Sequence, residues 1–226
     1  MTRKPLQRRS HLPRLLALPG SRIAAVLLLA SAALLGESRT YNIEPAPDSR
    51  FALEVYKTGL MSGRKHLLVF ERYAGRLDYD AGNPEQSKMD LTIESASLVV
   101  KDDWVSEKDH AKIADEALRN QLAAGQYPEI RFRSSAIRAA GEGRYEADGD
   151  LTIREVTRPV RVRVNSQETA EGAVLLEGEA VVKMKDYKLK PPTAALGLIG
   201  TKDEMTVRFQ LLAAPAERAK PPDGVK

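Results

Sequence analysis

Two histidines, His66 and His110, lie beyond the N-terminal stretch of a 226-residue chain that contains no cysteine. They are the side chains best suited to acid–base or metal chemistry near neutral pH. Without cysteine a tetrahedral His/Cys zinc site is excluded, and a catalytic zinc would need carboxylates that no spacing here pairs with a histidine. His110 falls in the first turns of a charged helix, where a solvated side chain is expected. His66 follows Gly63-Arg-Lys at a strand edge, and is either a polar group at the mouth of a pocket or a loop side chain in solvent. Asp102-Asp103 and the pair Glu107 and Asp109 form an acidic run, but flanking a helix start they serve the helix dipole and solubility. No Gly-x-Ser-x-Gly elbow, phosphate loop or dinucleotide fingerprint occurs. The chain therefore does not read as an enzyme, and no catalytic residue, resident metal or cofactor is expected.

The elements that would position such groups are strands. In Gly149–Val164, Leu151 and Ile153 alternate with Thr152 and Arg154, and Val160, Val162 and Val164 alternate with Arg161 and Arg163, the period-2 signature of half-buried strands. Glu155 to Pro159 is expected to be the return loop of this hairpin. The same alternation marks Phe51, Leu53 and Val55, then Met89, Leu91 and Ile93, then Ile130, Phe132 and Ser134, then Ala180, Val182 and Met184, and finally Met205, Val207, Phe209 and Leu211. A longer strand spans Leu67 to Leu77, with a kink expected at Gly75. Ser106-Glu-Lys-Asp109 has the form of a capping box ahead of one amphipathic helix, Ile113 to Leu122, stopped by Gly125 and Pro128. The fold class expected is all-β, an antiparallel barrel of about eight strands with one short amphipathic helix lying across an open end or flank.

Residues 1–39 carry a basic stretch followed by the apolar run Ile23 to Leu35, and read as a secretory leader, cleaved or, as the lesser alternative, retained as an anchor. The barrel is expected over residues 40–213 and a disordered tail over 214–226. Seven of the 35 Lys and Arg and one of the 31 Asp and Glu fall within residues 1–39, which leaves 28 basic against 30 acidic side chains in the remainder. The basic surplus that would suggest a nucleic-acid partner therefore belongs to the leader. Small residues on the inward parity, Ser134, Ala147, Gly149 and Ala180, leave volume inside the barrel, which is either open to an apolar ligand or packed solid.

The order of motifs resembles one family. Gly75-Arg-Leu-Asp-Tyr-Asp80, Ser106 to Asp109 before a short helix, Gln126-Tyr-Pro-Glu-Ile-Arg-Phe132, and Asp148-Gly-Asp-Leu-Thr-Ile153 followed by Thr157-Arg-Pro-Val160 look like the YceI family of secreted polyisoprenoid-binding proteins, over roughly Tyr41 to Ala213. The resemblance implies a lipocalin-like barrel that holds a long isoprenoid chain, such as a polyprenyl phosphate or a quinone tail. Glu155 stands where the family usually has glycine, and only His66 remains of a His-Asp-His-like patch of a related branch.

On this reading the chain is a non-enzymatic carrier or sink for an isoprenoid lipid, periplasmic or secreted. Its cavity would be lined by Phe51, Leu53, Val55, Met89, Leu91, Ile93, Ile130, Phe132, Leu151 and Val182, with His66 at the mouth and Leu196 and Ile199 in a lid over it. The partners expected are the isoprenoid lipid and, transiently, a membrane; nucleic acid is not expected, and the oligomeric state is not read from the sequence. The alternative is an accessory module that assists a membrane redox or stress-response partner through the apolar loop Thr193 to Ile199.

Overall fold

The computed structural model describes residues 38–216, Ala81 excepted. The expected leader lies outside them apart from its last two residues, as does the tail beyond residue 216. The strands are β1 (Arg39–Ile43), β2 (Arg50–Gly59), β3 (Lys65–Phe70), β4 (Tyr73–Tyr79), β5 (Lys88–Glu94), β6 (Leu98–Val100), β7 (Glu129–Gly141), β8 (Arg144–Ile153), β9 (Val156–Glu168), β10 (Val174–Lys183) and β11 (Ile199–Pro215), with helix α1 (Glu107–Asp115) between β6 and β7.

The eleven segments build eight barrel staves. Strand β11 pairs with β2 through Ile199–Gln210 and with β1 through Ala213–Pro215, so β1 and β2 are two halves of one stave. Likewise β2 pairs with β3 and β1 with β4, while β3 pairs with β6 and β4 with β5. From β5 the order runs β7, β8, β9, β10, β11, and the β1–β11 ladder closes the ring. The result is an antiparallel up-and-down barrel, whose closure removes the exposed sheet edge.

Among the described residues no ladder joins β6 to β7. Helix α1 and the π-helical turn that continues it, Glu116–Gln121, cover that end of the barrel. Ser106 caps the helix, its Oγ accepting from the Asp109 amide at 3.3 Å. Ala117 and Leu122 are buried in the core, and Ile113 and Leu118 pack against it, so the helix buries its apolar stripe on the barrel.

Three local expectations are corrected. The break in the Leu67–Leu77 stretch falls at Glu71-Arg72, where the Arg72 carbonyl accepts from Glu94 N and Glu71 N donates to the Ser97 carbonyl, so the β3–β4 stave and the β5–β6 stave break side by side. Gly75 lies within the β4–β5 ladder, where a Cβ would stand 2.9 Å from the Asp90 carbonyl oxygen. The hairpin return is Arg154-Glu155 alone, with Arg154 at φ 57°, and Val156 to Pro159 are already strand. Pro159 is tolerated there because the β9–β10 ladder begins only at Arg163, leaving one edge of β9 unpaired at that point. Ala214 and Pro215, assigned to the tail, pair with Asn42 and Tyr41 and belong to the barrel.

The outer wall carries a chain of ion pairs across five strands. Arg163 and Arg208 both bind Glu179, Arg208 also reaches Glu54, and Glu54 bonds Lys65 and the Tyr56 hydroxyl. Burial works against the Glu54 carboxylate, but the bonds from Lys65 and Tyr56 outweigh it and hold the group below its ordinary value.

Two glycines shape the inner wall. A Cβ at Gly178 would lie 2.3 Å from Phe209 Cζ, and one at Gly149 would lie 2.6 Å from Phe132 Cε2. The end of each phenyl ring therefore occupies the space a side chain at that glycine would need. Gly178→Ala is expected to lower stability by about 1–3 kcal/mol in urea unfolding, as overpacking does. Phe209→Leu in the same chain should recover only part of this, because the Arg163 carbonyl oxygen is also 2.6 Å from the added carbon.

Candidate functional site: an end-to-end apolar cavity

The barrel encloses a cavity of about 490 Å3, within the ordinary size range of small-molecule sites. Its lining runs along β8 and β10 from end to end: Tyr145, Ala147, Leu151 and Ile153 on β8, and Val174, Leu176, Ala180 and Val182 on β10. At about 3.4 Å per residue, the span from Tyr145 to Ile153 corresponds to roughly 27 Å along the strand. The middle is wholly apolar, faced by Leu53, Leu91, Phe132, Leu151, Val162 and Phe209.

Polar lining groups gather at the two ends. At the end away from the helix are Tyr79, Ser87, Tyr145 and Ser166, with the two tyrosine hydroxyls 3.4 Å apart. Burial, together with the Tyr145 hydroxyl, pushes the Tyr79 phenol up to about 12, so it stays neutral under ordinary conditions. At the helix end are Lys57, His66, Lys112, Glu116, Gln121, Thr193 and Thr201.

The helix end is organised by Asp102. Its carboxylate is fully buried; Oδ1 accepts from Leu67 N at 2.6 Å and Oδ2 lies 2.6 Å from His66 Nδ1. A carboxylate with no proton only accepts, so His66 carries its proton on Nδ1 and leaves Nε2 as the ring's remaining polar atom. Trp104 stacks on the imidazole with ring centroids 5.3 Å apart and donates from Nε1 to the Lys65 carbonyl at 3.0 Å. His110 Nε2 bonds the Asp102 carbonyl at 2.8 Å. Lys57 continues the inward parity of Phe51, Leu53 and Val55 and so places its side chain on the cavity wall. Burial holds its ammonium below the ordinary lysine value, partly offset by the charge of Asp102.

Of the residues expected to form the site, Phe51, Leu53, Val55, His66, Met89, Leu91, Ile93, Ile130, Phe132, Leu151 and Val182 all face the cavity. Leu196 and Ile199 do not. Ala195, Leu196 and Gly197 take positive φ values of 51°, 54° and 88°, forming a tight turn closed by the Ala194–Ile199 bridge, and Leu196 is thrown fully into solvent. From the same segment Pro192, Thr193 and Ala194 line the cavity instead. Ser134 lies at a bulge and accepts from Met89 N at 2.8 Å, so it completes the ladder and does not open volume. His110, expected in solvent, is half-buried against Asp102.

Lys57, Asp102, Trp104 and Tyr145 were not anticipated as parts of a site. Lys57 and Tyr145 carried a usable signal, since the alternation through Val55 extends to Lys57 and the inward parity of Ala147 and Gly149 extends to Tyr145. No cluster of three or more His, Asp or Glu side chains that could hold a metal occurs among the described residues. The arrangement suits a long apolar ligand with polar contacts available at either tip.

The fold and cavity define a class: an antiparallel barrel built around a continuous apolar interior. Residues 41–213 match the YceI-like domain model, and the chain belongs to that family. A UPF0312 protein of Pseudomonas savastanoi pv. phaseolicola is 26% identical over 133 residues, covering 55% of this chain and 64% of the relative, so the match spans slightly less than two thirds of that protein. The crystal structure of Burkholderia cenocepacia BcnA superposes with a TM-score of 0.59 at 21% identity, covering 74% of this chain and 96% of BcnA. A polyisoprenoid binding domain from Saccharophagus degradans, implicated in plant cell wall breakdown, superposes with a TM-score of 0.55 at 12% identity, covering 77% and 98% of the two chains. At these identities the structural likeness is one of fold.

Proposed function

We propose that this protein binds an isoprenoid lipid inside its barrel and carries or sequesters it without catalysing a reaction on it. The observation that carries the reading is the apolar cavity running the length of the staves, with polar groups only at its ends. Membership of the YceI-like family and the fold shared with a polyisoprenoid binding domain support it. His66 has a buried carboxylate partner but, among the described residues, no neighbouring nucleophile in hydrogen-bond contact, which favours a structural and ligand-contact role. The basic stretch and apolar run within residues 1–39 support export, and hence a periplasmic or secreted protein.

Trp104 is the only tryptophan in the chain and stacks on a cavity-lining histidine, so it reports on occupancy. Titration with geranylgeraniol is expected to change its fluorescence saturably, with Kd of about 1 μM or tighter, equivalent to about −8 kcal/mol. Farnesol should bind at least about tenfold more weakly, because each buried CH2 contributes about 0.8 kcal/mol before the cost of immobilising the chain. No saturable change, or equal affinity for the two alcohols, would contradict the reading.

The accessory-module reading is favoured by one observation, the exposure of Leu60, Leu196 and Leu198. A protein that takes up no lipid by this titration would turn the assignment towards it.

A further inference from the structure

Leu60, Leu196 and Leu198 form a single tip at the helix end of the barrel. Leu60 sits in the β2–β3 turn and is 75% exposed; Leu196 and Leu198 sit in the segment before β11 and are fully and 60% exposed. The two loops are tied together by Leu60 N donating to the Leu198 carbonyl at 3.1 Å. Gly59 sits at φ 67° beneath them, where a Cβ would be 2.1 Å from that same carbonyl oxygen, so the loops are in direct backbone contact. A tip of aliphatic side chains held out by hydrogen-bonded backbone stabilises nothing in the barrel itself, and exposed apolar groups collected in one place mark a contact surface.

The charge around the tip indicates what that surface is. Arg64 in the same β2–β3 turn, Lys188 and Lys190 ahead of Pro191, Lys202 in β11 and Lys57 on the cavity wall have no carboxylate within 4.0 Å among the described residues. Asp203 accepts from the Lys185 amide and Glu204 lies 3.9 Å from Lys183, which leaves Asp186 as the acid of this segment without a side-chain partner. Aliphatic side chains flanked by unpaired cations match the chemistry of a bilayer surface with anionic headgroups: the leucines enter the acyl boundary and the cations meet the phosphates. The same segment that projects Leu196 and Leu198 outward lines the cavity with Pro192, Thr193 and Ala194. We propose that the Leu60–Leu196–Leu198 tip docks the helix end of the barrel on an anionic lipid bilayer, setting the cavity's polar end against the membrane. This rests on the proposed lipid binding for its purpose, but not for its test.

Because the chain has no cysteine, a single introduced one labels one place. Leu196→Cys and, as the control, Glu171→Cys in the exposed β9–β10 turn at the opposite end are labelled in the full chain with an environment-sensitive nitrobenzoxadiazole dye. On phosphatidylcholine vesicles containing phosphatidylglycerol, the dye at position 196 should shift to the blue and brighten while that at 171 does not. Lys188→Glu with Lys190→Glu should weaken the response by about tenfold or more, as expected when surface cations are reversed near anionic lipid. Pure phosphatidylcholine should give a markedly weaker response. No shift at position 196, an equal shift at both positions, or indifference to the charge reversal would overturn the proposal; the last two would point to the leader or to a protein partner. Geranylgeraniol titration of unlabelled protein is read separately, so failure of docking and failure of lipid binding are distinguishable.

Discussion

Ala180→Phe is expected to lower isoprenoid affinity by about a hundredfold, roughly 2.7 kcal/mol, while leaving the barrel folded. Ala180 faces the lumen from β10, opposite Val207 and packed with Ala147 and Val162. In a solid core a phenyl group there would force neighbours off their rotamers at a cost of about 1–3 kcal/mol. Here it would project into an existing cavity of about 490 Å3, so it meets space and adds buried apolar surface. The stability change is therefore expected to stay within about 1 kcal/mol in either direction, while the ligand loses the room it needs. Urea unfolding and the geranylgeraniol titration, run on the same preparation, separate the two effects. An unfolded variant would contradict the open cavity, and unchanged affinity would place the ligand elsewhere.

Asp102→Ala is expected to be the most destabilising single substitution near the site, by about 3 kcal/mol or more. It leaves two part-buried donors, Leu67 N and His66 Nδ1, without the acceptor each now has at 2.6 Å. An orphaned buried donor costs about 1–3 kcal/mol, and the two losses are coupled through one carboxylate. It also frees the imidazole against which Trp104 stacks, so the native fluorescence should change with it. Asp102→Asn keeps an oxygen for Leu67 N and should cost only about 1 kcal/mol. Equal stability of the alanine variant and the parent in urea would show that the carboxylate does not organise this end.

The barrel was readable because half-buried staves write their inner face into every second residue. Leu151 and Ile153, or Phe51, Leu53 and Val55, needed no partner to declare themselves. The breaks at Glu71-Arg72 and at Ser95–Ser97 were not readable as one feature, since the two staves are joined there by long-range bonds such as Glu94 N to the Arg72 carbonyl. The apolar wall of the site follows the same parity and was legible with it. Asp102 was not: its neighbours in sequence are acidic and helix-flanking, and its partner His66 is 36 residues away. Lys57 obeys the inward parity, but a charged side chain there reads as solvent-facing until the cavity end is seen to be polar. Leu196 and Ile199, read as an apolar lid over the mouth, do not line the cavity. The positive φ values at Ala195, Leu196 and Gly197 turn the segment outward, and nothing in the residue types announces that for Ala195 and Leu196.

The central claim is that the barrel interior holds an isoprenoid chain. Native mass spectrometry of the intact protein, purified after expression and export in a bacterial host and followed by extraction and mass analysis of what it releases, tests this most directly. The expected result is one polyprenyl-chain lipid per barrel in the parent and none in Ala180→Phe. Protein mass alone, with no uptake of added polyprenol, would contradict it.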